Sequence, residues 1–168
     1  MGVLCTLNVT PTQLHTNSWA SLRAFRVLAE IFGLRPFPHV FLHFYRARTS
    51  HLTKWTSLVS QSGAALFTPF CSSYKYFKNA FFKLTITPNG RHYFFNGDVP
   101  KFPLYWMRDP VAYLSWPRSP MTEDDKQMFG ILDQFPRHLP IRDILKLFLT
   151  SRHWVHLKGM LFNFVIVG

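Results

Sequence analysis

The sequence predicts an α+β domain, a small and mostly antiparallel sheet with helices before and after it. Three observations carry this reading. Apolar residues recur at helical spacing near both ends of the chain. The middle holds short runs rich in Val, Phe, Tyr and Thr. Asn89-Gly90 divides two such runs as a hairpin turn would.

The elements follow in order. Pro11 opens a short helical turn with Thr10 as its cap. Trp19 to Phe32 reads as a helix capped by Asn17 or Ser18. Leu22, Phe25, Leu28 or Ala29, and Phe32 form its buried face; Arg23, Arg26 and Glu30 fall on the wet one. Gly33 suits its C-terminus. Pro36 and Pro38 then force an extended segment. Val40 to Arg46 reads as a central strand, apolar on both faces, and Trp55 to Val59 as a second strand ended by Gly63. Ser72 and Ser73 cap a short helix from Tyr74 to Ala80. Phe82 to Thr87 and Arg91 to Phe95 pair across Asn89-Gly90. Asn96 to Pro120 is Pro-rich, and Trp106 and Trp116 pack it as extended or irregular chain. Thr122 caps a helix to about Asp133, with Glu123, Asp124 and Asp125 in its first turn. Pro136 and Pro140 separate it from an amphipathic helix, Ile141 to Ser151, whose stripe is Ile144, Leu145, Phe148 and Leu149.

At 168 residues the chain suits one domain and can bury about two-thirds of the surface its unfolded form exposes. Hydrophobic residues make up 48% and aromatics 17%, with 18 Phe, which excludes a disordered chain. Either the core is aromatic or some rings meet a partner. There are 19 Lys and Arg against 8 Asp and Glu, a net charge of +11. Residues 1–84 hold nine of the basic residues and one acid, Glu30. A basic half with interleaved aromatics favours nucleic acid first and anionic membrane second; a solvated basic surface is the plain alternative. No run reaches the roughly 18 apolar residues of a membrane span, and Met160 to Val167 is too short. Membrane is therefore the less expected partner. Cys5 and Cys71 imply no disulfide framework, and no basic n-region leads an apolar run. A reducing compartment, cytoplasmic or nuclear, is expected.

No catalytic constellation stands out, so the chain is read as non-enzymatic and without a cofactor. Glu123, Asp124 and Asp125 are what a helix dipole attracts. Asp98, Asp109, Asp133 and Asp143 suit a Mg²⁺-dependent nuclease or transposase by residue type only. His39 and His43, and His153 and His156, have spacings that share a metal on a helix. The first pair falls in an expected extended segment preceded by proline, however, and no metal site is predicted. Cys71, in Pro-Phe-Cys-Ser-Ser, reads as a buried small hydrophobe. Tyr74 to Lys83 interleaves aromatics with three lysines, as single-strand binding surfaces do. Its i, i+4 spacing of Phe77 and Phe81 also suits a core face with solvated lysines. Arg23, Arg26, Lys75, Lys78 and Lys83 are the candidate residues for weak, nonspecific nucleic-acid binding. The opening Met1-Gly2-Val3-Leu4-Cys5-Thr6 matches an N-myristoylation pattern, with Cys5 as a second acylation position, but the pattern is short and common by chance.

Several stretches together resemble a plant domain family, the gypsy-type transposase domain. They are Pro11-Thr12-Gln13-Leu14-His15, Asn17-Ser18-Trp19-Ala20, Phe32-Gly33, Val40-Phe41, Phe44-Tyr45 and Trp55-Thr56-Ser57-Leu58. The most specific runs from Ser72 to Lys83, followed by Phe102-Pro103-Leu104-Tyr105-Trp106 and Trp116-Pro117-Arg118. The resemblance implies a plant source and an origin in a long-terminal-repeat retroelement. It carries no catalytic residues; the function expected is an interaction or assembly role, with self-association or element-encoded partners. Thr16 and Ser18 depart from the Pro and Gly usual in the opening motif. On this reading residues 1–155 are the domain and residues 156–168 an aberrant apolar tail, from truncation or a gene-model artefact. A nuclease remnant and a decayed element without activity remain the alternatives.

Overall fold

The computed structural model describes residues 2–71, 83–112, 116–150 and 164–167. Its architecture is α+β, with helices and small antiparallel two-stranded ladders. Helix α1 (Gly2–Leu7) buries Val3, Leu4 and Leu7. A 3-10 turn follows at Pro11–Gln13, with Thr10 at its N-cap and Pro fixing the first helical φ.

Helix α2 (Thr16–Ile31) begins before the expected Trp19. Its cap is His15, not Asn17 or Ser18: the Asn17 amide donates to His15 Nδ1 at 3.2 Å. Ser18 is buried instead, and its Oγ accepts from the Leu58 amide at 2.9 Å. That bond docks the helix on a strand, which no local capping rule foresees. Phe25, Leu28 and Ala29 are buried as expected, whereas Phe32 is exposed and meets the Phe135 ring at 4.9 Å. Gly33 takes φ +65°, and the Gly33 and Leu34 amides donate to the Glu30 and Ala29 carbonyls. This is the left-handed helix ending that glycine permits.

The expected strand Val40 to Arg46 is mostly helix. Helix α3 (Pro38–Phe44) buries Val40, Phe41, Leu42 and Phe44. A run apolar on every side shows no period, and Pro38 at the first position presets helical φ. Strand β1 (Tyr45–Thr49) follows directly and pairs antiparallel with β2 (Thr56–Ser60), Arg46 opposite Val59 and Arg48 opposite Ser57.

The hairpin across Asn89-Gly90 does not form. Strand β3 (Lys83–Ile86) pairs instead with β6 (Phe164–Val167). Pro88–Gly90 is a 3-10 turn running into helix α4 (Arg91–Phe94). A tight hairpin needs the amide of the residue before Asn-Gly, and Pro88 has none. The hairpin appears one step later. Strands β4 (Phe95–Asn96) and β5 (Val99–Pro100) join through Gly97-Asp98, with Gly97 at φ +62°. Residues 101–112 and 116–121 are irregular among the described residues, and they are packed by Trp106 against Trp55 and by Trp116 against His39.

Helix α5 (Glu123–Asp133) is capped by Thr122 as expected, and Asp125 bonds back to Thr122 to complete a capping box. Helix α6 (Ile141–Thr150) lies along α2, burying Ile144. The core is aromatic. Phe25 meets Phe41 edge-on at 5.2 Å, Phe41 stacks on Tyr45 at 4.5 Å, and Phe44 stacks on Phe129 at 5.3 Å. The expected helix from Tyr74 to Ala80 lies outside the described residues, as do His153 and His156.

Candidate nucleic-acid interface

The run Tyr-Arg-Ala-Arg-Thr alternates in size and charge, so a strand of it has one apolar face and one cationic face. In β1 Tyr45 and Ala47 point into the core while Arg46 and Arg48 are exposed. The turn to β2 is held internally. The Lys54 amide donates to the Ser50 carbonyl and the Ser50 amide to the Trp55 carbonyl, both at 2.9 Å, with Lys54 at φ +58°. Trp55 anchors its base, edge-on to Trp106 at 5.0 Å. Its tip presents His51 and Leu52, the latter 95% exposed. The result is a braced ribbon with two arginines on one face.

Five of the other described cations are offset by a neighbouring acid, Lys146 by Asp143 among them. Arg26 pairs with Glu30 at 2.7 Å, Arg91 with Asp98 at 2.9 Å, Lys126 with Glu123 at 2.6 Å, and Arg137 with Asp133. Arg46 and Arg48 take part in no ion pair among the described residues. The sequence explains why: no acidic residue occurs between Glu30 and Asp98.

The residues proposed from sequence fare differently. Arg23 and Arg26 come together on α2, but among the lining of an apolar cavity. Arg23 is half-buried, and its pKa is lowered by burial first and by Arg26 second. Lys83 sits in β3, in register with Val167. Lys75 and Lys78 lie outside the described residues. Arg46 and Arg48 escaped sequence reasoning because Arg46 closed a strand read as apolar on both faces and Arg48 fell between the two expected strands. The acid-free stretch and the Arg-x-Arg alternation were the signals that could have found them.

The histidine pair His39 and His43 lies on a helix after all, at the spacing that could share a metal. Each ring is otherwise engaged. His39 stacks on Trp116 at 4.3 Å, with Nδ1 3.8 Å from Asp125 Oδ2. His43 Nδ1 lies 2.8 Å from the Trp116 carbonyl, which can only accept, so that nitrogen carries the proton. Arg118 sits 3.5 Å from His43 Nε2 and 3.9 Å above the Phe129 ring. Together these contacts pin the irregular chain around Trp116 onto α3 and α5. Among the described residues no three His, Cys, Asp or Glu side chains cluster as a metal site. Asp98, Asp133 and Asp143 are each tied to a nearby cation, at Arg91, Arg137 and Lys146. Cys71 is exposed, contrary to expectation, because it follows α3 and the ribbon in surface chain rather than in the core.

The two specific residues of the myristoylation pattern both have packing roles. A Cβ at Gly2 would stand 2.3 Å from Pro38 Cγ, so only glycine fits. Thr6 Oγ1 donates back to the Gly2 carbonyl at 2.9 Å. No helix of the described residues is long and apolar enough to cross a membrane. Compared with protein-family models, curated proteins and solved structures, the chain matches none.

Proposed function

We propose that this chain is a non-enzymatic binding domain that holds nucleic acid through its phosphates, without sequence preference. The observation that carries it is the exposed pair Arg46 and Arg48 on a braced ribbon, with no acidic partner among the described residues. A phosphate chain can run along such a face, because arginine forks match phosphate oxygens. A net charge of +11 adds long-range attraction. The resemblance to plant gypsy-type transposon domains supports the same role in a retroelement-derived protein, acting in assembly in the cytoplasm or nucleus.

The test is binding of the folded 168-residue chain to labelled single- and double-stranded oligonucleotides across a salt series. Affinity should fall linearly on a log–log plot, as counterion release requires. Absence of binding even at low salt would leave the charge as a solvated surface and sink the reading.

A further inference from the structure

We propose that the cavity framed by α1, α2, α3 and α4 binds a free long-chain carboxylic acid, with Arg23 and Arg26 holding the carboxylate. This stands apart from the nucleic-acid reading and uses a different surface. The cavity measures about 460 Å³, within the range of sites that enclose a small ligand. Its walls include Trp19, Leu22, Phe25, Phe41, Phe94 and Phe102. Arg23 and Arg26 are its charged residues.

The stripe Trp19, Leu22, Arg23, Arg26 runs along one side of α2 at helical spacing, apolar at one end and cationic at the other. A ligand that fits must therefore be apolar along its length and anionic at one end. A polar body would bury groups with few partners in so apolar a wall. A guanidinium at an apolar wall can meet a carboxylate with two parallel hydrogen bonds, beside the contacts it already makes. Glu30 occupies the Nε donor of Arg26, one of five on that guanidinium. Arg26 lies near enough to lower the Arg23 pKa, second to burial, so the two cations share one side of the cavity. An acyl chain carried on Gly2 would bring no carboxylate, so the arginines favour the free acid.

The test uses the full chain, stripped of bound lipid, titrated calorimetrically with myristate and with methyl myristate. Myristate should bind saturably at one per chain, and the ester about tenfold more weakly, as loss of a charge-assisted contact implies. Arg23→Gln should weaken the acid by a similar factor and leave the ester unchanged. Myristate brominated along its chain should quench tryptophan fluorescence, and Trp19→Phe, a mild change at a partly exposed site, should remove part of that quench. Arg48→Gln should leave myristate binding as it was. Absence of saturable binding, equal affinity for acid and ester, or a quench indifferent to Trp19→Phe would each overturn the assignment.

Discussion

The side-chain amide of Gln13 pairs with the main chain of Met107 as a strand neighbour would. Its Nε2 donates to the Met107 carbonyl at 2.8 Å, and its Oε1 accepts from the Met107 amide at 3.1 Å. Nε2 also donates to the Lys54 carbonyl at 2.9 Å. One wholly buried side chain thus joins the turn before α2, the root of the β1–β2 turn and the irregular chain near Trp106. Replacing it by alanine leaves several main-chain groups buried without partners. Gln13→Ala should lower stability by about 2–4 kcal/mol, seen as a lower urea midpoint at unchanged slope.

The ribbon arginines should dominate the salt response of nucleic-acid binding. Arg46→Gln with Arg48→Gln should reduce the log–log salt slope by about 2, with the folded state unchanged by circular dichroism. An unaltered slope would move the interface elsewhere on the chain.

Tyr45 links stability to alkaline pH. Burial raises its pKa from about 10 to about 12, against the opposing hydrogen bonds from Ser21 and the Phe67 main chain. The unfolded chain therefore loses this proton first. The contribution is whole below about pH 10 and is lost as the pH rises towards about 12. It amounts to about 2–3 kcal/mol. Urea midpoints of wild type and Tyr45→Phe should converge over that interval, because the phenylalanine variant has no proton to lose.

Thr122 holds the start of α5 through its reciprocal bonds with Asp125. Thr122→Ala should destabilise the protein by about 1–2 kcal/mol. Thr122→Ser, which keeps the hydroxyl, should recover most of that in thermal unfolding.

Gly2→Ala should lower stability by about 1–3 kcal/mol even in protein purified from a host without acyltransferase, because the added methyl meets Pro38. Differential scanning calorimetry of the unmodified chain measures this directly. A phenotype of this substitution is therefore no readout of lipidation.

Elements whose signals are local were legible in the sequence. The cap at Thr122, the glycine ending at Gly33 and the α2 stripe of Phe25, Leu28 and Ala29 each depend on residues within two turns of one another. The same holds for β2 and for the Pro11 turn. The run from Val40 was misread because uniform hydrophobicity has no period. Asn89-Gly90 misled because the proline before it removes a hairpin donor.

The candidate sites were less legible, for a different reason. Composition alone announced an excess of positive charge and its concentration in the first half of the chain. It could not say which cations are cancelled. Glu30 lies four residues from Arg26, within reach only because both ride one helix. Arg46 and Arg48 share an outward face only because Tyr45 and Ala47 are drawn into the aromatic core. The cavity at Arg23 exists because α1, α3, α4 and Phe102, distant in the chain, close around α2. Charge and local propensity are properties of residues and short windows. Burial, pairing and enclosure are properties of packing between distant segments, and only the folded chain brings those segments together.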